Sequence, residues 1–223
     1  MLLIHGMWGS ASQWNEFLKY FKACNIKARA IEYKKNERAS FMDYVKEVAE
    51  VAENEVIVGH SMGGLIVQKV AEITKIKAGI AIGSAPPHGI KFGSFSLTLS
   101  SMRYLPKILM KKPFIPSYGF VRKYLLNCIN EERAREIYSS LLPESPKAAY
   151  EVFMGKVKVD ERKVNSPMLF IALKDDRVAP VELEERIASK YKAKLAVLNG
   201  CHWIFDSPHE IAEQIIKFAS EIL

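Results

Sequence analysis

One serine in this 223-residue sequence lies among glycines in a pattern that suits nucleophilic catalysis. Gly59-His60-Ser61-Met62-Gly63 has the form G-x-S-x-G, between a predicted strand and a predicted helix. A sharp turn of this kind requires small flanking residues and presents the serine hydroxyl at the end of the strand. The helix N-terminus behind it favours developing negative charge. The pattern predicts that Ser61 is a nucleophile; the alternative is a glycine-rich βα turn without chemistry.

A serine hydroxyl is a poor nucleophile unless a base within hydrogen-bond reach removes its proton, and histidine is the usual base. The sequence contains five histidines: His5, His60, His88, His202 and His209. Of these, His202 follows a predicted strand, whereas His60 lies inside the serine turn. His88 opens a different segment of the chain, and His209 falls in the first turn of the last predicted helix.

The elements that must position these residues alternate between strands and helices. The predicted strands are Met1–Ile4, Ile26–Tyr33, Glu55–Gly59, Ala78–Gly83, Met168–Leu173 and Leu195–Leu198. The predicted helices are Gln13–Cys24, Phe41–Glu53 with Ser40 as N-cap, Met62–Ile73, Ser145–Gly155, Pro180–Lys190 and Pro208–Leu223. This alternation predicts an α/β fold with a doubly wound, mostly parallel sheet of about six strands. Ligands bind such sheets beyond the carboxyl ends of the strands.

With these motifs in this order, the sequence resembles the α/β-hydrolase fold superfamily and its serine esterase- and lipase-like members. Such proteins carry His-Gly at the end of an earlier strand, and here the corresponding segment is His5-Gly6-Met7-Trp8-Gly9. The resemblance implies an oxyanion hole made by the backbone N–H groups of Met7 and Met62. His5 is expected only to brace this loop.

The resemblance also implies the remaining catalytic residues. His202, in Gly200-Cys201-His202, is similar to the family's histidine before the last helix and would be the general base. The acid is expected between the serine and the histidine in chain order. The family pattern D-x-V-x-P aligns with Asp176, while the neighbouring Asp175 competes for the role and is interpreted as a turn residue. Asp206 follows the histidine and is assigned to the N-cap region of the last helix.

The resemblance divides the chain into a core of residues 1–85 and 148–223 and a helical cap, or lid, of residues 86–147. Family members usually begin with an antiparallel hairpin before the His-Gly strand, whereas this sequence starts at that strand. The sheet is therefore expected to be smaller than usual. No cofactor and no metal are expected, and three cysteines without a C-x-x-C argue against a zinc site.

The expected cap has an unusual composition. It holds seven of the ten prolines, and its residues 86–130 carry seven basic and no acidic side chains, equal to the whole net charge of +7. Apolar residues from Phe92 to Ile115 lie between these charges. One interpretation is an apolar acyl pocket whose basic residues meet an anionic substrate group or an acidic lipid surface. The other is a packed apolar layer with a solvated basic face.

Composition limits the remaining possibilities. No apolar run approaches the length of about 18 residues that spans a bilayer, and the N-terminus does not have the form of a signal peptide. Three cysteines without a C-x-x-C favour reduced thiols and a cytoplasmic location. A nucleic-acid partner is not expected, because no recognised binding motif accompanies the basic segment.

The sequence thus predicts a serine hydrolase that cleaves a carboxylic ester with an apolar acyl group through an acyl-enzyme. Other reactions that use the same residues stay open, among them thioester, lactone and carbon–carbon hydrolysis, hydroxynitrile lyase chemistry and cofactor-free haloperoxidation. A ligand-binding receptor with little turnover is the alternative from a different class of protein.

Overall fold

The computed structural model describes residues 1–91 and 95–222, and a single parallel sheet forms its centre. The strands are β1 (Leu2–Ile4), β2 (Arg29–Ile31), β3 (Val56–His60), β4 (Ala78–Ile82), β5 (Met168–Leu173) and β6 (Lys194–Leu198). They lie in the order β2-β1-β3-β4-β5-β6, and each pairs in parallel with its neighbours. The predicted α/β class and six-stranded sheet are confirmed.

Helices follow most of the strands. They are α1 (Asn15–Ala23), α2 (Phe41–Ala52), α3 (Met62–Ile73), α4 (Phe95–Met102), α5 (Leu105–Leu109), α6 (Tyr118–Tyr124), α7 (Glu131–Ser139), α8 (Pro146–Phe153), α9 (Val181–Tyr191) and α10 (His209–Ser220). Ser40 caps α2 as predicted, and it forms a capping box with Asp43.

The apolar side chains of the strands divide between two cores because successive residues of a strand point to opposite faces. On one face, Leu2, Ile4 and Ile57 pack with side chains of α2, α3 and α9. On the other face, Leu3 and Val58 pack with side chains of α1 and α10. Helices therefore cover both faces, as a buried parallel sheet requires.

A third apolar cluster lies beyond the carboxyl ends of the strands. The helices α4 to α7 contribute most of it, through residues such as Phe120, Val121 and Ile137, and it includes Trp8 and Val178 of the core segments. Of the apolar residues expected here, Phe92 lies outside the described residues. The following helix, α8, begins at Pro146, so the proposed end of the cap at residue 147 falls within its first turn.

Three local predictions differ from the structure. β2 spans only Arg29–Ile31 and is partly exposed, because it forms one edge of the sheet and has a single pairing partner. The first predicted helix starts with a 3₁₀ turn at Ala11–Trp14. The assignment of Asp206 to the N-cap region of α10 is wrong: Pro208 is the N-cap, and both carboxylate oxygens of Asp206 accept hydrogen bonds from Arg133.

Among the described residues, none of the helices combines the length and the apolar character needed to cross a membrane.

Candidate active site

Ser61 lies in the turn between β3 and α3 with a backbone that most residues avoid. Its φ is 56° and its ψ is −119°. Hydrogen bonds fix this turn: the Ser61 N–H donates to the Ile82 carbonyl at 2.9 Å, and the Ser61 carbonyl accepts from the Ala85 N–H at 3.0 Å. Positive φ in a residue other than glycine costs free energy and persists only where the surroundings impose it.

The glycines of G-x-S-x-G are required because the backbone approaches itself closely at this turn. A Cβ on Gly59 would overlap the Gly63 carbonyl, and a Cβ on Gly63 would overlap the Ile4 carbonyl at the end of β1. Glycines are therefore needed on both sides of Ser61 for steric reasons. The close approach of Gly63 to Ile4 also places the chain after β3 against the chain after β1, and the strand order of the sheet reverses between these two strands.

His202 and Ser61 are 141 positions apart in the chain and form a hydrogen bond. The His202 Nε2 lies 3.0 Å from the Ser61 Oγ. The other ring nitrogen, Nδ1, donates to Asp176 Oδ2 at 2.8 Å. This leaves Nε2 as the acceptor of the serine proton. The arrangement has the geometry that a general base requires.

Asp176, rather than Asp175, meets the histidine. The Asp176 carboxylate is buried, and its Oδ1 accepts from the Val178 N–H at 2.7 Å and the Ala179 N–H at 2.8 Å. These bonds leave Oδ2 for His202 and fix the direction of the carboxylate. Asp175 is exposed and contacts the loops through its backbone, since its N–H donates to Gly200 and its carbonyl accepts from Asn127.

The loop after β1 lies beside Ser61. A Cβ on Gly6 would stand 3.0 Å from the Ser61 Cβ, and both Met7 and Met62 line the same cavity as Ser61. Within the described residues, neither the Met7 nor the Met62 backbone N–H donates a hydrogen bond. Two main-chain donors on residues that line the cavity of Ser61 are thus available.

His5 has the bracing position that was expected of it. Its Nδ1 donates to the Gly6 carbonyl at 2.9 Å, and its ring stacks on Tyr33 with ring centres 4.1 Å apart. The Tyr33 hydroxyl in turn donates to the His5 carbonyl at 3.1 Å. His88 and His209 lie elsewhere, against Gly155 and Tyr20 respectively.

His60 supports the site from behind. Its Nε2 donates to the His202 carbonyl at 2.8 Å, and the two rings are 4.7 Å apart. Burial lowers the pKa of His60 well below its usual value of 6.5, and the neighbouring His202 lowers it further. His60 therefore stays neutral and holds the backbone of His202 in place.

A second carboxyl group lies near the Asp176 carboxylate. Glu184 of α9 is fully buried, its Oε1 accepts from the Ser84 N–H, and its Oε2 has no hydrogen-bond partner among the described residues. Burial raises the pKa of Glu184 well above 4.5, and the negative charge of Asp176 raises it further. Glu184 therefore favours its neutral, protonated form.

An apolar cavity opens over Ser61. Its walls are mostly aliphatic and aromatic side chains contributed by the core and by the segment between β4 and β5: Met7, Trp8, Leu97, Phe120, Leu125, Leu141, Val152, Phe153, Val178 and Trp203. The centre of a water molecule can occupy about 50 Å³ of it. Since one water needs roughly 10–15 Å³ by this measure, the open space above Ser61 is small, with room for a few water molecules.

The fold and these contacts agree with the comparison to known families. A model of the alpha/beta hydrolase family matches residues 1–214. The chain therefore belongs to the alpha/beta hydrolase family. No curated protein sequence matches it.

Solved structures share this fold at low sequence identity. An extracellular α/β-hydrolase from a Paenibacillus species is 20% identical with a TM-score of 0.77, and 97% of each chain is covered. A monoacylglycerol lipase from Paleococcus ferrophilus is 22% identical with a TM-score of 0.72, covering 100% of this chain and 94% of its own. A methylesterase from Arabidopsis is 16% identical with a TM-score of 0.72, covering 99% of this chain and 98% of its own. Esterases and lipases are thus among the proteins similar to this one in structure.

Sequence reasoning placed Ser61, Asp176, His202, Met7 and Met62 at the site, and the structure brings all five to one edge of the sheet. It gave no role to His60, Gly83 or Glu184. Gly83 has a φ of 50°, and a Cβ there would stand 2.9 Å from Asp176 Oδ2. Glu184 left a signal in the sequence, because a charged residue occupies a position on the apolar face of α9, one turn before Ala188.

The two aspartates can be distinguished by exchange to asparagine. Asp176→Asn favours the wrong tautomer of His202, so we expect the rate at which a fluorophosphonate probe labels Ser61 to fall by about 10³–10⁴-fold. Asp175→Asn, at an exposed position, is the matched control and should stay within about twofold of wild type. Equal losses in both variants would contradict the assignment of the acid.

The protonation of Glu184 predicts how stability depends on pH. Its pKa is raised in the folded state, so its contribution is fully present below pH 4.5 and declines as pH rises toward the folded-state pKa. The slope is up to about 1.4 kcal/mol per pH unit. The side chain of Glu184→Gln is neutral at every pH. The free energy of unfolding in urea of this variant, relative to that of wild type, should therefore rise between about pH 5 and pH 7.

Glu185→Gln, at the exposed neighbouring position, is the control for this measurement. It should leave the pH dependence of the unfolding free energy unchanged. Parallel curves for Glu184→Gln and wild type would show that Glu184 is not held protonated.

Proposed function

We propose that this hydrolase cleaves a carboxylic ester through an acyl-enzyme, with Ser61 as nucleophile, His202 as general base and Asp176 as the residue that orients the histidine. The observation that carries the proposal is the hydrogen-bonded series from Asp176 Oδ2 to His202 Nδ1 at 2.8 Å and from His202 Nε2 to Ser61 Oγ at 3.0 Å. It ends at the floor of an apolar cavity.

In the first step the Ser61 Oγ attacks the ester carbonyl while His202 Nε2 takes its proton. Asp176 stabilises the imidazolium without taking the proton itself. The backbone N–H groups of Met7 and Met62 hold the oxyanion, which is the place where preorganised donors are most effective. His202 then protonates the leaving alcohol, and a water molecule repeats the sequence on the acyl-enzyme.

The cavity supports an apolar acyl group as the part of the substrate next to Ser61. Its lining is mostly apolar, and small-molecule sites commonly combine such walls with a few placed polar groups. The esterases and lipases of the same fold are in keeping with an ester substrate. Thioesters, lactones and carbon–carbon bonds would use the same residues, and product analysis separates them from esters.

Ser61→Ala removes the nucleophile, and a panel of p-nitrophenyl acyl esters tests the reaction. We expect wild type to hydrolyse the panel with a preference set by acyl length, and Ser61→Ala to lose at least about 10³-fold in kcat. A fluorophosphonate probe should modify Ser61 in wild type.

Ser139→Ala, an exposed serine at the end of α7, is the matched control and should keep full activity and labelling. A wild-type protein that hydrolyses no ester of any length would overturn the proposal. Stoichiometric ligand binding without product would instead indicate a receptor, and cyanohydrin cleavage or halogenation would indicate a lyase or haloperoxidase.

An acidic lipid surface is a second proposed partner, and the exposed end of α4–α5 supports it. The side chains of Met102, Leu109 and Met110 are 57%, 72% and 61% exposed, which is unusual for large apolar residues. Four exposed basic residues lie among them: Arg103, Lys107, Lys111 and Lys112. Apolar side chains surrounded by cations suit the interface of an anionic membrane.

Cosedimentation with vesicles of anionic and of zwitterionic phospholipid tests this surface. We expect binding to the anionic vesicles alone. In the double variant Lys111→Gln/Lys112→Gln, each substitution should weaken this binding by about fivefold, which corresponds to about 1 kcal/mol. Lys19→Gln/Lys22→Gln, on the exposed side of α1, is the charge-matched control. Negligible binding to both vesicles would remove lipid from the list of partners.

A further inference from the structure

Glu144 is a buried acid that the proposed reaction does not use. It lies between α7 and α8, and its side chain is fully buried, with 0% exposure. An acid in such a position is costly unless hydrogen bonds replace its contacts with water. The partners of Glu144 therefore indicate what the residue does.

Three donors surround the Glu144 carboxylate, and they divide between its oxygens. Oε1 accepts from the Tyr44 hydroxyl at 2.7 Å and from the Ser145 N–H at 2.8 Å. Oε2 accepts from the Trp8 N–H at 3.3 Å. One oxygen thus ties Glu144 to the core helix α2, and the other ties it to the loop after β1.

The bond to Trp8 acts on the loop that carries Met7. The Trp8 N–H belongs to the peptide that directly follows Met7, so holding it restricts the backbone of Met7. Trp8 itself has a φ of 60°, in the left-handed region that a side chain with a Cβ disfavours. The same segment also binds the other side of Trp8, since the Leu142 N–H donates to the Trp8 carbonyl at 2.9 Å.

We propose that Glu144 is a positioning residue for the oxyanion hole: its Oε2 holds the left-handed Trp8 and thereby directs the Met7 N–H toward the carbonyl oxygen of the substrate. This inference rests on the proposed function, because it gives the Met7 amide a role in the reaction. It also connects the chain at the end of the expected cap to the loop that contacts the substrate.

The two oxygens allow the positioning role to be separated from packing. In Glu144→Gln, the amide oxygen takes the position of Oε1, because the Tyr44 hydroxyl and the Ser145 N–H both donate there. The NH₂ group then takes the position of Oε2 and faces the Trp8 N–H. Two donors then oppose each other, and the bond to Trp8 is lost without removing volume. Tyr44→Phe is the matched control, because it removes one bond from the same carboxylate on the side away from the loop.

Kinetics on a p-nitrophenyl ester and inhibition by a trifluoromethyl ketone provide the readout. Loss of one oxyanion donor lowers kcat by about 10²–10³-fold, so a displaced donor should cost Glu144→Gln about 10–100-fold in kcat. KM should stay within about twofold, since the contact forms in the transition state. The Ki of the ketone, which mimics the oxyanion, should rise by the same factor as kcat falls, and Tyr44→Phe should change neither by more than about threefold.

Hydrogen exchange at the Trp8 amide tests the loop independently of ester hydrolysis. It should be faster in Glu144→Gln than in wild type and Tyr44→Phe, at equal melting temperatures for the two variants. Unchanged exchange in Glu144→Gln, or wild-type values of its kcat and Ki, would overturn the inference. The proposed function would still stand in that case if the wild-type protein hydrolysed esters. If the wild-type protein hydrolysed no ester but exchange was faster in Glu144→Gln, the contact between Glu144 and the loop would stand and its role in the reaction would be overturned.

Discussion

The left-handed backbone at Ser61 is the constraint on which the rest of the site depends. A φ of 56° at a residue with a side chain is held by hydrogen bonds to Ile82 and Ala85, and it is possible only because Gly59 and Gly63 leave room for the backbone. β3 and β4 are fully buried and paired in parallel, and this pairing fixes Ile82 and the chain after it relative to Ser61. Contacts with the parallel sheet thus stabilise the unfavourable backbone conformation of Ser61.

The topology places three further segments around that serine. The strand order reverses between β1 and β3, so the loop after β1 and the turn after β3 lie side by side. The loops after β5 and β6 bring Asp176 and His202 to the same edge. Parallel strands end together at one edge, so the ends of β1, β3, β5 and β6 each contribute one part of the site.

The buried titratable groups at this edge differ in the hydrogen-bond donors that they meet. Asp176 has three hydrogen-bond donors directed at its carboxylate, two from the backbone and one from His202. Among the described residues, Glu184 has one donor for its carboxyl group, and burial raises its pKa, whereas burial lowers the pKa of His60. Glu144 resembles Asp176 in this respect, since three donors are directed at its buried carboxyl group.

The sequence by itself determined the class of fold, the six strands and the turn at Ser61, because hydrophobic periodicity and a glycine motif between a strand and a helix can be recognised within a few neighbouring residues. It also indicated Asp176 and His202, although these assignments rested on a family resemblance and their catalytic roles stay predictions. Asp206 was assigned wrongly, because its partner Arg133 is 73 positions away and no local pattern shows the pairing. Only the tertiary structure decided the roles of His60, Gly83, Glu184 and Glu144: each depends on which distant backbone group its atoms meet, and the packing of the whole sheet sets those distances.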